Sequence, residues 1–173
     1  MEFEITQQLR ADRGRRLANY FIDLAAQYII VLGIGFTAGL LTYVEIYGPM
    51  EYVNSMNKFE EYLLGYVVMF IYYFAFESLT GGRTLGKYIT GTKVLTWYGE
   101  RPSAGRIAKR TLCRMIPFNH FSFLEENPRG WHDSISDTVV VEVSKYEQEL
   151  NYRKAFNEIG TPEKEETNNG WGA

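Results

Sequence analysis

The 173-residue chain carries 46% hydrophobic and 23% charged residues with a formal charge of −3, bulk values that would suit an ordinary soluble globule. That charge gives no reason to expect nucleic acid as a partner. One cysteine, Cys113, excludes an internal disulfide framework, and with only His120 and His132 beside it a structural zinc centre is not expected either.

The averages conceal an uneven distribution. Residues Ala18 to Val44 form an apolar run interrupted by a single charge, Asp23, and a bilayer core needs about 20 such residues. The run follows a polar stretch and is too long for the apolar part of a cleavable signal, so it is expected to stay as an anchor. Positions three, four, seven and eleven after Arg16 share one face of a helix, which gathers Arg16, Asn19, Tyr20, Asp23 and Gln27 into one polar stripe. A carboxylate inside a span is costly and is expected to face protein or a wet crevice. Two roles are open for Asp23: a packing anchor bonded to Arg16 or to a second helix, or a titratable or cation-coordinating group on an ion path. Gly35 and Gly39 form a small-xxx-small pair on a face away from Asp23, a weak signal for close helix contact or a homodimer.

The second apolar run, Tyr62 to Leu79, is aromatic-rich and would reach about 27 Å as a helix, with one charge, Glu77, near its end. Three roles are open for Glu77: snorkelling to the interface, pairing with Arg16, which is the expected one, or lying as a second carboxylate beside Asp23. Arg10, Arg13, Arg15 and Arg16 before the first run, and Arg83, Lys87 and Lys93 after the second, contrast with a loop holding Lys58 against Glu45, Glu51, Glu60 and Glu61. The positive-inside rule then puts both ends in the cytoplasm and the Glu45 to Glu61 loop outside.

Next comes Gly81 to Lys87, which satisfies GxxxxGK. Tyr88 stands where a nucleotide loop has Ser or Thr, and a membrane helix precedes where a strand is needed, so Arg83 and Lys87 are expected at lipid headgroups instead. Two β-branched runs, Thr90 to Trp97 and Ser136 to Val143, are expected to pair as antiparallel strands. Between them a helix would place Ile107, Ala108, Thr111, Leu112, Met115 and Ile116 on one side and Arg106, Lys109, Arg110 and Arg114 on the other. It is expected to lie in the headgroup plane with those four cations on anionic lipid; a soluble helix packed on the strands is the alternative. Arg129, Trp131, His132, Asp133 and Asp137 cluster before the second strand, as a capped turn or a proton-handling pair. From residue 144 the chain is charged and is expected to fray from a helix into a disordered tail.

The order "RRLANYFID", a second membrane helix, "GRTLGKYITGTKV" and "GWHDSISDTVVV" resembles the RDD family, small bacterial integral membrane proteins named for one arginine and two aspartates. The resemblance covers roughly residues 12 to 143, and by position it implies Arg16, Asp23 and Asp133 as the signature. Many members have a further hydrophobic helix, whereas Arg106 to Leu124 here is basic and broken by Pro117. The resemblance implies transport, with some members linked to sodium/proton exchange. Asp23 would then be the proton or cation site, Arg16 its tuning charge and Asp133 a cytoplasmic partner, with Asn19, Gln27, Glu77 and His132 in support.

The expectation is an all-α membrane protein with two transmembrane helices, about 18–44 and 62–79, an interfacial amphipathic helix and a small cytoplasmic antiparallel strand pair. Residues 1–11 form an N-terminal segment, 12–143 the membrane domain with its cytoplasmic portion 80–143, and 144–173 the tail. The chain is expected in the bacterial inner membrane, without a cofactor, metal or enzyme activity. It would act as a homo-oligomer or with a membrane partner, transporting a cation, proton or small solute. The competing class is a non-catalytic membrane module whose basic face binds a partner protein or anionic lipid.

Overall fold

The computed structural model describes residues 4–116 and 131–159. Helix α1, Arg13–Thr42, opens at Asp12, whose carboxylate accepts the Arg15 backbone N–H at 2.8 Å. Helix α3, Lys58–Leu79, opens on a capping box in which Asn57 and Glu60 each satisfy the other's backbone N–H. At 1.5 Å per residue the two reach about 45 and 33 Å, enough for a bilayer core. Both begin earlier than the apolar runs predict, because their caps lie in the polar flanks. Only 6% of the most apolar stretch of α1 and 22% of that of α3 is buried, the reverse of what the core helix of a soluble globule shows. Phe21, Ile29, Leu32, Phe36 and Ile71 point outward along them.

The connection between these helices, expected as loop, holds a short helix, α2, Gly48–Ser55, with Pro49 in its first turn. The Gly35 and Gly39 pair has open space where a Cβ would stand, so within one chain it brings no helix into contact.

A cap forms the other end. Helix α4, Leu85–Thr90, starts at Thr84 and stops at Gly91, whose left-handed φ of 68° turns the chain into β1, Thr92–Thr96. Strand β2, Thr138–Glu142, pairs with it antiparallel in a register running from Thr92 opposite Glu142 to Thr96 opposite Thr138. The expected strand pair is present, each member shorter at both ends. Residues 4–11 run along it, with Ile5 N–H donating to Trp97 O and Ala11 N–H to Val140 O, both at 2.9 Å. Ile5 and Leu9 join Leu95, Val139 and Val141 in the main apolar core, so the N-terminal segment is part of the cap.

Helix α5, Ala104–Arg114, packs against α3 and against α6, Trp131–Ile135. Its buried face is Ile107, Arg110, Thr111 and Arg114, while Leu112 and Ile116 are exposed. This differs from the expected division into apolar and basic halves, because two of the arginines answer buried carboxylates. Helix α7, Val143–Ile159, continues from β2 and packs Tyr146 against the same apolar core as Trp97. The third-crossing question for Arg106 to Leu124, the position of Arg129 and the disorder expected of the last residues fall partly or wholly outside the described residues.

Candidate functional site

The polar stripe of α1 is the foundation. Arg16, Asn19 and Asp23 are buried on it where α1 meets α4, and Gly86 permits the approach: a Cβ there would stand 2.6 Å from Asn19 O and 3.0 Å from Asp23 Oδ1.

Asp23, 1% exposed, accepts three hydrogen bonds. Tyr72 Oη donates at 2.7 Å from α3, the Thr84 hydroxyl at 2.7 Å and the Gly86 N–H at 2.8 Å from the start of α4. The carboxylate thus joins α1, α3 and α4, and its tolerance inside an apolar run has a direct cause: both oxygens are satisfied by protein. Arg16 is not its partner. Asn19 extends the same seam by donating to the Thr92 hydroxyl at 2.9 Å.

Arg16 donates instead to Asp133 Oδ2 at 2.6 Å, linking α1 to α6. Asp133 Oδ1 accepts from Arg110, which also donates to the Thr138 hydroxyl at 2.9 Å. Glu77, 0% exposed, pairs with Lys87 Nζ and Arg114 Nη2, each at 2.9 Å, and with Arg110 Nε at 3.5 Å. Arg110 therefore bridges the two carboxylates. The Arg114 guanidinium lies 3.9 Å from the centre of the Tyr73 ring, a contact a lysine would reproduce poorly.

These positions correct several expectations. Glu77 pairs, as expected, but not with Arg16 and not beside Asp23 as a second ligand. Lys87, Arg110 and Arg114 do not reach lipid headgroups: all are buried, because Glu77 and Asp133 need cations and the cap carries them. With Lys87 committed to Glu77, the Gly81 to Lys87 stretch has no lysine for phosphate. Its Gly82, at φ 97°, passes so close to β1 that a Cβ would stand 2.4 Å from Val94 O. Lys109 is exposed and Arg106 and Arg83 half-buried, Arg83 over the Tyr88 ring, so those three keep a surface position. Gln27 is half-buried one turn beyond Asp23 and near Tyr73. Asp137 takes a left-handed φ of 50° in the turn before β2 and belongs to no ion pair among the described residues. Tyr72, Tyr73 and Thr84 were not singled out by sequence; the hint was a buried carboxylate, Asp23, that needed donors.

Between these groups lies a cavity of about 50 Å³, lined among others by Arg16, Asp23, Tyr73, Lys87, Arg114 and His132. No group of His, Cys, Asp and Glu able to hold a metal ion occurs among the described residues.

Arg16 and Asp133, 117 residues apart in the chain, thus meet in one buried ion pair, and the model of the RDD family matches residues 10–137. The chain belongs to the RDD family. Comparison with curated proteins and with solved structures gave no match. Family membership and the two long apolar helices together mark this RDD protein as a membrane protein.

Electrostatics at this RDD site predict a pH response. Burial pulls the His132 imidazole well below the usual 6.5, Arg110, Arg114 and Arg16 add to that, and Asp133 opposes it only in part. Burial alone would raise the Asp133 carboxyl, but Arg110, His132 and Arg16 outweigh it and hold it below the usual 3.8. The unfolded chain therefore binds a proton at His132 below about pH 6.5 that the folded chain refuses, and stability falls with falling pH by up to about 1.4 kcal/mol per unit. The Asp133 contribution is full above 3.8 and is lost only as pH falls below that. Unfolding in detergent at pH 7.5 and 5 should show the first loss, and His132→Gln should flatten it; an unchanged slope in the variant would assign it elsewhere.

Proposed function

We propose that this RDD protein is a non-catalytic integral membrane module, in which α1 and α3 span the bilayer and a cytoplasmic cap is fastened to them by buried ion pairs. The observation that carries the reading is the state of Asp23. Its oxygens already accept from Tyr72, Thr84 and Gly86, so it serves as an anchor holding three elements together. Lys109, with Arg106 and Arg83, supplies the surface for anionic lipid or a partner. The loop charges support a cap facing the cytoplasm with α2 outside, in a bacterial inner membrane. Two wide crevices open along α1, one of about 520 Å³ against α3 around Gln27 and Tyr66 and one of about 590 Å³ against α2 around Gly33 and Val53. A second copy or another membrane helix would fill them, which supports an oligomer or a subunit role.

A second reading, ion or solute passage, is favoured by the succession of those two crevices and the polar cavity along α1. Asp23→Asn separates the two. Asn keeps an acceptor for Tyr72 and Gly86, so the variant should fold with a loss of about 1–3 kcal/mol. In proteoliposomes the module reading expects no proton flux driven by Na⁺, K⁺ or Li⁺ above empty vesicles. Wild-type flux that Asp23→Asn abolishes would replace it with the transport reading.

A further inference from the structure

We propose that the buried cavity among α1, α4, α5 and α6 is a binding site for a small monovalent anion of chloride size, an inference that does not depend on the module reading. Among the described residues, four cations, Arg16, Lys87, Arg110 and Arg114, meet three carboxylates, Asp23, Glu77 and Asp133. Among these groups one positive charge is left over, on side chains that are themselves buried. His132, neutral through burial, neither adds to it nor removes it.

The unmet hydrogen-bonding capacity on the residues that line the cavity consists of donors. Arg16 and Arg114 are 7% and 8% exposed, yet Arg16 Nε and Arg114 Nη1 have no hydrogen-bond partner. Asp23, which lines the cavity, accepts from Tyr72, Thr84 and Gly86, and Asp133 beyond it accepts from Arg16 and Arg110; Glu77 Oε2, without a hydrogen bond, faces Arg110 Nε at 3.5 Å. A cation entering here would meet unpartnered donors and a charge of its own sign. An anion would accept from guanidinium N–H groups and cancel the surplus. Water could satisfy the donors but would leave the charge uncompensated.

Size narrows the class. About 50 Å³ holds roughly three or four waters, room for chloride or bromide and too little for a nucleotide or a lipid phosphate with its substituents.

The full chain in detergent, with sodium and ionic strength held constant, should gain thermal stability in a saturable way as chloride replaces gluconate. The ³⁵Cl resonance should broaden with the protein present and sharpen again on adding bromide. Val140, which lines the cavity without belonging to an ion pair, offers the cleaner variant. Val140→Ile should weaken chloride binding about tenfold by filling space while leaving stability in gluconate near wild type. Arg114→Gln should abolish the chloride response; if it does not fold, Val140→Ile decides. Equal stability in chloride and gluconate without broadening would overturn the site. So would broadening unchanged by Val140→Ile, which would place the chloride on the protein's surface.

Discussion

Glu77→Gln should destabilise the protein by about 3–5 kcal/mol, the cost of leaving buried cations without their counter-charge. Glu77 is wholly buried at the end of α3 and faces Lys87, Arg110 and Arg114 at once. Arg110 keeps Asp133 after the change, but Lys87 and Arg114 lose the carboxylate that justifies their burial. A glutamine oxygen can still accept one of their hydrogen bonds and cannot offset the charge. The loss should be read by thermal or denaturant unfolding in detergent, with the far-ultraviolet helix signal retained below the transition. Adding Lys87→Met to Glu77→Gln should recover part of it, because the second change removes one stranded cation and fills its space with an apolar side chain. A double variant no better than the single one would mean that the stranded Lys87 charge is not what the Glu77 change costs.

Gly82→Ala should be nearly as damaging, by about 2–5 kcal/mol, for a reason unrelated to charge. At φ 97° any side chain is strained, and the added Cβ would meet Val94 O at 2.4 Å, backbone that cannot swing aside. Separating the two would also lengthen the bond from Val94 N–H to Gly82 O, now 2.9 Å, which ties the end of α3 to β1. Gly35→Ala is the matched control. Nothing lies within 4 Å of its Cβ position, so in a monomer alanine should be neutral or stabilise α1 by up to about 1 kcal/mol. If Gly35→Ala instead lowers the oligomeric state, the small-residue face is an interface between copies.

What could be read from the sequence follows the range of the interactions. The two long apolar helices, the antiparallel strand pair and the α1 polar stripe rest on local sequence pattern, and each lies close to its expected place. The wheel put Arg16, Asn19 and Asp23 on one face, and that face is the buried one. Partner choice was not legible, because Arg16 and Asp133 meet only once the cap has folded back on α1. The same limit explains α5. On a wheel its arginines form a polar half fit for headgroups, and nothing local says that Glu77, on another helix, will draw Arg110 and Arg114 inward. The glycines of the Gly81 to Lys87 stretch resembled a phosphate loop in spacing, yet serve close packing against α1 and β1. The α2 helix was missed for want of any strong periodicity in eight residues.

The separation of Arg16 from Asp133 has a consequence for synthesis. At about 5–20 residues per second, the 117 positions between them take roughly 6–23 s to translate. For most of that interval α1 is already made, with a guanidinium near one end and no permanent counter-charge. Asp23 is answered sooner, since Tyr72, Thr84 and Gly86 all emerge within 63 positions of it. Assembly is therefore ordered by the ribosome: the aspartate knot joining α1, α3 and α4 can close first, and the arginine lock seals the cap only when the second aspartate arrives.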